Sequence, residues 1–193
     1  MVSLKTPICN FNFRAQDFSL IGIDDQVYNL KKIIGNRGTL VMFICNHCPY
    51  VKAIQTRLSQ DIKALQKLNI GVIAIMSNDP KEHIEDSFEN MKIFAKKNKF
   101  TFPYVYDETQ AVAKAYGAIC TPDFFGFNAN LQLQYRGRLD SSGKVSQKNN
   151  IKRELLDAMK LVAETGFGPK NQVPSIGCSI KWRPETDENQ TLI

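Results

Sequence analysis

The chain has 193 residues, 43% hydrophobic and 23% charged, the composition of a globular domain long enough to bury its own core. A low-complexity chain is excluded, and no apolar stretch reaches the roughly 20 residues that a membrane-spanning helix needs. Twenty-five basic and nineteen acidic residues leave a net charge of +6. The surplus at Lys96, Lys97 and Lys99 has no interleaved aromatic platform, so it reads as a solvated face, and neither a nucleic-acid nor a membrane partner is expected. Met1 to Leu20 contain no apolar h-region, because Asn10, Asn12, Arg14, Gln16 and Asp17 interrupt it. A secretory signal is therefore not expected, and the reducing cytoplasm is the expected compartment. Five cysteines, at 9, 45, 48, 120 and 178, are too sparse for a disulfide-stapled fold.

Residues 18–30 predict two short strands around an Asp24-Asp25 turn. Thr39 to Ile44 is an apolar run that predicts a strand buried on both faces. After Cys45-Asn46-His47-Cys48, the residues Val51, Ile54, Leu58, Ile62, Leu65 and Leu68 recur at spacings of three and four, which predicts an amphipathic helix. Ile70 to Met76 predicts a second buried strand, parallel to the first through that helix. Asp79 and Glu82 have the spacing of a capping box, and Pro80 suits the first position of another helix, carried on by Phe88, Met91, Phe94 and Ala95. Phe102 to Tyr106 is a predicted strand, and Asp107 a cap for a helix over 109–116 that Gly117 ends. Phe124 to Phe127 and Leu131 to Tyr135 predict a hairpin across Asn128-Ala129-Asn130. Ile151 to Val162 predicts a closing helix ended by Gly166.

The resulting plan is α/β: a mixed central sheet flanked by helices, with an N-terminal β-hairpin. It resembles the thioredoxin-like fold with an insertion between its halves. Residues 1–168 form the expected domain. Residues 169–193 form a C-terminal tail packed on it or trailing from it, frayed from Glu185 onward.

Two thiols three residues apart, between a buried strand and a helix, can close a small disulfide ring. Random placement of five cysteines gives about 0.1 pairs at this spacing, so the strand before and the helix after carry the signal. Cys45 is expected ahead of the helix, accepting N–H bonds from its first turn, with Cys48 shielded inside that turn. The Cys45 thiolate would then attack a partner disulfide, and Cys48 would resolve the mixed disulfide. His47, as an imidazolium between the thiols, would lower the Cys45 pKa; the alternative is a solvated, weakly coupled ring. His83 reads as a surface residue. Cys120-Thr121-Pro122 opens the hairpin where a cis-proline would face the thiols and offer the Thr121 backbone to an extended substrate segment. Cys120 is a candidate auxiliary thiol, or a small buried hydrophobe.

At this point the residues resemble the peroxiredoxin-like, thioredoxin-fold proteins of the redoxin, or AhpC/TSA-like, type that carry a Cys-x-x-Cys pair. The resemblance lies in Met42-Phe-Ile-Cys-Asn-His-Cys-Pro-Tyr-Val-Lys52, Asp86-Ser-Phe-Glu-Asn-Met-Lys92 and Phe102-Pro-Tyr-Val-Tyr-Asp-Glu-Thr109. It continues through Ala115-Tyr-Gly-Ala-Ile-Cys-Thr-Pro-Asp-Phe-Phe125, Tyr135-Arg-Gly-Arg-Leu-Asp140 and Pro174-Ser-Ile-Gly-Cys-Ser-Ile-Lys-Trp182. It implies a thioredoxin fold with thiol-disulfide or thiol-peroxidase chemistry. Thioredoxins proper have Trp-Cys-Gly-Pro-Cys, where this chain has Ile44 and Asn46-His47. Thr39 stands where they carry a buried proton-accepting Asp, so the proton is expected to pass to water or His47. The peroxiredoxin pattern Pro-x-x-x-Thr/Ser-x-x-Cys is unmet from either cysteine: counting from Cys48 it falls on Val41 and Cys45, and from Cys45 on Gly38 and Met42.

The leading expectation is a cytoplasmic thiol-disulfide oxidoreductase built on Cys45 and Cys48 and supported by His47, Thr121 and Pro122. Its partners would be disulfide-bearing proteins or small molecules and a dithiol reductant, with no cofactor and no metal. A thiol peroxidase with antioxidant activity, passing through a sulfenic acid, is the second reading. The third is a soft-ligand set of Cys45, His47, Cys48 and Cys120 for copper(I) or zinc, although no second ligand pair is visible. In the tail, Cys178 is expected to pack with Ile176, Ile180 and Trp182 rather than act as a third thiol. Arg136, Arg138 and Asp140 read as surface pairs of little energetic weight.

Overall fold

Thr39, Leu40, Val41, Met42 and Phe43 have no exposed surface, and side chains alternate across a strand. Leu40 and Met42 therefore enter one core with Ile54, Leu58, Ile62 and Met159. Val41 and Phe43 enter a second core, behind the sheet, with Val112, Tyr116, Phe125 and Phe127. A strand with a core on each face has no polar positions, which is why its sequence reads as one apolar run.

The computed structural model describes residues 3–81, 83–144 and 151–184. The strands are β1 (Ser3–Lys5), β2 (Ser19–Gly22), β3 (Val27–Asn29), β4 (Gly38–Phe43), β5 (Ile70–Met76), β6 (Tyr104–Tyr106), β7 (Cys120–Thr121), β8 (Asp123–Phe127), β9 (Leu133–Tyr135) and β10 (Ile176–Ser179). The helices are α1 (Leu30–Ile33), α2 (Pro49–Gln66), α3 (Phe88–Lys97), α4 (Ala111–Tyr116) and α5 (Glu154–Thr165). Seven strands form one mixed sheet in the order β3-β2-β6-β5-β4-β8-β9. Within it β4 runs parallel to β5 and antiparallel to β8. No helix among the described residues is long and apolar enough to cross a membrane.

The predicted mixed α/β plan is present, and three local expectations change. The helix expected from Pro80 begins instead at Phe88, where the Ser87 side chain accepts from the Asn90 N–H. Ahead of it a tight 3-10 turn, Ile84–Asp86, carries Asp86 into the interior with no exposed surface. The capping-box partner Glu82 lies outside the described residues, as does the tail from Glu185 onward. Asp107 does cap α4, accepting from the N–H groups of Val112 and Ala113 at 3.3 and 2.9 Å.

The second change is in the tail. Ile176 to Ser179 form β10, the middle strand of a separate sheet ordered β1-β10-β7. Four residues that include a glycine are too few to show strand periodicity in sequence. Ile180 is buried, whereas Ile176 and Trp182 are exposed, so the tail is held by strand pairing more than by the three apolar anchors expected.

The third change concerns the arginines. Arg136 Nη2 lies 2.9 Å from Asp123 Oδ2, and its guanidinium stacks 4.3 Å from the Phe125 ring centroid. Arg57 meets the buried Asp140 at 2.6 Å, and Arg138 pairs with Glu154. The planar fork of arginine suits such two-point contacts with carboxylates, and the Asp123 and Asp140 carboxylates they meet are buried rather than at the surface. Arg136→Met leaves the Asp123 carboxylate buried and uncompensated, and is expected to cost about 3–5 kcal/mol. Urea denaturation of the reduced protein measures it; a loss below about 1 kcal/mol contradicts a structural role for the pair.

Candidate active site: two thiols at a helix start

The ladder of β4 runs one residue past the strand, with the Ile44 N–H bonded to the Ile75 carbonyl at 3.1 Å. The chain then bends through Cys45, Asn46 and His47. Cys48 is the residue that caps α2, and Pro49 occupies the first helical position. Proline fits there because its missing N–H would have no intrahelical partner. The helix thus begins at the second cysteine. The Val51 N–H faces the Cys48 sulfur without closing a full cap hydrogen bond.

Thr121 touches both thiols. Its hydroxyl lies 3.1 Å from Cys45 Sγ, and its carbonyl lies 3.2 Å from Cys48 Sγ, positioned to accept the S–H when Cys48 is protonated. The Thr121–Pro122 peptide is cis, as expected from the sequence. Cys120, the candidate auxiliary thiol, turns toward the Pro122 carbonyl at 3.9 Å rather than toward Cys45, and burial raises its pKa.

A group that sequence reading missed organises the bend. Asp86 Oδ1 accepts from the backbone N–H groups of Asn46 and His47 at 2.7 and 3.1 Å. Its Oδ2 accepts from Asn78 Nδ2 at 2.8 Å and His47 Nδ1 at 2.5 Å. Burial alone would raise the Asp86 carboxyl, but the His47 and Asn78 hydrogen bonds, the His47 charge and the Asn46 N–H hold it below its usual range. His83, expected on the surface, stacks on His47 with centroids 4.0 Å apart and planes 7° apart. Asp86 stands at the head of one of the segments that carry the family resemblance, but no local pattern marks an aspartate that bonds backbone 40 residues away in sequence.

The expected His47–Cys45 contact is present, and His47 shares it with Asp86. His47 Nδ1 is committed to Asp86 and lies 3.7 Å from Cys45 Sγ, and the Asp86 charge opposes ionisation of Cys45. The expected soft-metal set is not assembled. Ligand atoms of Cys45, His47 and Asp86 lie within 4.8 Å of one another, while Cys48 and Cys120 fall outside that group. Asp86 already accepts four N–H donors on about four lone-pair sites.

The two sulfurs are pushed apart in acidity. The Cys45 thiol donates to Cys48 and, against the cost of burial, brings the Cys48 pKa down to about 5; Cys178 and the Val51 N–H add to this. Burial, the hydrogen bond to Cys48 and the charges of Asp86 and Cys48 drive Cys45 well above its ordinary value, and only the Thr121 hydroxyl works the other way. The helix begins at Pro49 with Cys48 at its cap, and the helix N–H ranks behind the Cys45 hydrogen bond among the influences that lower Cys48.

Residues 12–147 match the AhpC/TSA family. The chain belongs to that family. It is 40% identical, with a TM-score of 0.90, to an uncharacterized conserved protein from Geobacillus kaustophilus, over 96% of this chain and 99% of that one. A hypothetical protein from Sinorhizobium meliloti is 35% identical, with a TM-score of 0.87, over 93% and 97% of the two chains. The thioredoxin domain of a thiol-disulfide oxidoreductase from Bacteroides vulgatus aligns at 15% identity and a TM-score of 0.55, covering 66% of this chain and 87% of that one. No curated protein matches the chain. The protein is thus a redoxin with the thioredoxin fold, as its sequence resemblance implied.

In this redoxin the depressed Cys48 pKa ties stability to pH. A group held below its unfolded value stabilises the fold above that value and loses the effect as pH falls through its folded one. For Cys48 the window runs from its ordinary value of 9.0 down to about 5. Reduced wild type is expected to lose stability across that window relative to Cys48→Ser, as read from urea midpoints at successive pH values. Parallel profiles for the two proteins contradict the assignment.

Proposed function

We propose that this redoxin is a thiol-disulfide oxidoreductase whose working pair is Cys45 and Cys48. One observation carries the proposal: two buried thiols meet at the start of α2, both in contact with Thr121, and their mutual hydrogen bond lowers Cys48 while raising Cys45. The lower pKa reverses the order of attack that the spacing suggested. Cys48 as thiolate attacks one sulfur of a substrate disulfide; the S–S bond breaks and the other sulfur leaves as thiolate. With Cys48 now neutral, two influences that hold the Cys45 proton, the hydrogen bond to Cys48 and its charge, are gone. Cys45 gives its proton to solvent or the leaving thiolate and attacks Cys48 Sγ. The Cys45–Cys48 disulfide closes and the second substrate thiol departs.

On this reading the partners are disulfide-bearing proteins or small molecules, and a dithiol reductant restores the pair in a reducing cytoplasm. Stabilising the Cys48 thiolate favours the reduced form, which places the potential toward the disulfide-isomerase end of the range from ~−270 to ~−180 mV. Cys48→Ser is expected to lose disulfide reduction by at least about 100-fold, while Cys45→Ser still completes the first displacement on Cys48 but cannot close the Cys45–Cys48 disulfide. Turnover of a small disulfide substrate with mass spectrometry of trapped protein reads both. A Cys48→Ser protein turning over near the wild-type rate rules the proposal out.

The same acidic Cys48, in a chain of the AhpC/TSA family, supports peroxidase chemistry as a second reading, with Cys48 passing through a sulfenic acid that Cys45 condenses to the same disulfide. Against it, Cys45 and Val41 occupy the places of the peroxide-activating Thr and Pro. Peroxide consumption no faster than by free cysteine dismisses it.

A further inference from the structure

The backbone of Thr121, expected to receive a substrate strand, is already paired. Within the chain, β10 lies antiparallel to β7 with Cys178 opposite Thr121 and Ser179 opposite Cys120, and the Ile180 N–H continues the pairing to the Ile119 carbonyl at 3.1 Å. On its other side β10 pairs with β1, Ser3 opposite Cys178. Gly177 permits the approach: a Cβ there would stand 2.2 Å from the Thr121 carbonyl oxygen and 3.0 Å from Pro122 N. The Pro122 carbonyl also accepts from Ser175 Oγ at 2.7 Å, which fixes the start of the strand.

Pairing at this register brings Cys178, nearly fully buried, into the same apolar cluster as Cys45 and Cys48. Its side chain is hydrogen-bonded to Cys48. The Thr121 carbonyl that lies 3.2 Å from Cys48 Sγ belongs to the residue facing Cys178 across the ladder. A strand of the chain itself therefore stands where a substrate's would, with its thiol against the reactive sulfur.

We propose that β10 is a tethered, substrate-like strand and that Cys178 is a third redox thiol, forming with Cys48 a disulfide that is an alternative to Cys45–Cys48. The proposal deepens the oxidoreductase reading and rests on its assignment of Cys48 as the nucleophile. Cys48 thiolate takes one half of a small disulfide such as oxidised glutathione, releasing one glutathione thiolate. Cys178 then attacks Cys48 Sγ, the bond to the second glutathione breaks, and that thiolate leaves and takes up the proton Cys178 has lost. The Cys48 thiolate and the Cys178 thiol give up two electrons and one proton in total, and one glutathione disulfide becomes one thiolate and one thiol.

The surroundings leave Cys178 able to make that second attack as an alternative to Cys45, which keeps the Thr121 hydroxyl beside it. Burial first, then the hydrogen bond to Cys48 and its charge, lift Cys178 to about 11, while Lys181 and Lys144 pull it down. The Cys48 contributions end once Cys48 is in a mixed disulfide, and the two lysines remain. Cys45 keeps Asp86 beside it instead. A cavity of about 220 Å³, bounded by Tyr50, Ile54, Pro122, Lys144, Ser175 and Ile176, lies beside the first turns of α2 and the start of β10, with none of the three cysteines in its lining.

The test exposes wild type, Cys45→Ser, Cys178→Ser and the double variant to oxidised glutathione, blocks remaining thiols with N-ethylmaleimide and maps peptides by mass spectrometry. Cys45→Ser is expected to yield an intramolecular Cys48–Cys178 disulfide with little glutathione retained, and the double variant to keep glutathione on Cys48. Adding Gly177→Val to Cys45→Ser lifts β10 from Thr121 and is expected to lower the bridge yield at least about fivefold, since small displacements of reacting atoms cost orders of magnitude in rate. Should Cys45→Ser fold poorly, Cys45→Ala carries the same readout. Retention of glutathione on Cys48 in Cys45→Ser, equal to that in the double variant and with Cys178 fully alkylated, overturns the inference. Failure of Cys178→Ser to form the Cys45–Cys48 disulfide counts instead against the oxidoreductase reading and leaves the Cys45→Ser result to decide this one.

Discussion

The site depends on the contact between its two thiols. The Cys45 thiol hydrogen-bonds to Cys48 and is the largest influence lowering it. Cys48 stands at the cap of α2 with Pro49 following, closing no cap hydrogen bond through its sulfur, and the first-turn N–H of Val51 adds a smaller share. A sulfur with several donors aimed at it has a stabilised anion. Its neighbour, buried against that anion and the Asp86 carboxylate, does not. Splitting two thiols into one anion and one acid is what lets a pair work in sequence, one attacking and one waiting.

Two constraints keep that arrangement rigid. Asp86 ties the Asn46–His47 backbone to the turn before α3, so the bend after β4 has little freedom to bring Cys45 toward the helix end. Thr121 fixes the opposite side, meeting one thiol with its hydroxyl and the other with its carbonyl. The buried Arg136–Asp123 pair anchors the strand that follows Pro122. The strand β10 then closes the remaining edge of β7, which makes the tail part of the site rather than an appendage.

Much of this was legible in sequence where the signal is local and repeated. Strand β4, helix α2 and strand β5 declare themselves through apolar runs and a stripe at helical spacing, and the Cys-x-x-Cys pair and Pro122 fall where those elements require. What was hidden depends on contacts far apart in the chain. Asp86 has no periodicity and looked like part of a helix starting at Pro80, because an inward-turned aspartate and a helix-capping one are the same residue type. Gly177 and Cys178 form a strand too short to show a period, and their partner Thr121 lies more than fifty residues earlier. Arg136, Arg138 and Asp140 read as surface pairs, since sequence does not show burial. The hydrogen bond between the Cys45 and Cys48 side chains is likewise set by the fold and leaves no pattern in the sequence.

The most direct measurement is a site-resolved pH titration of the reduced protein by NMR, with 13C at Cβ of each cysteine and assignment by single Cys→Ser variants. The Cys48 signal is expected to move first, with a midpoint near 5, while the Cys45 signal holds its thiol position well past neutrality. A Cys45 signal that shifts at lower pH than Cys48 contradicts the account.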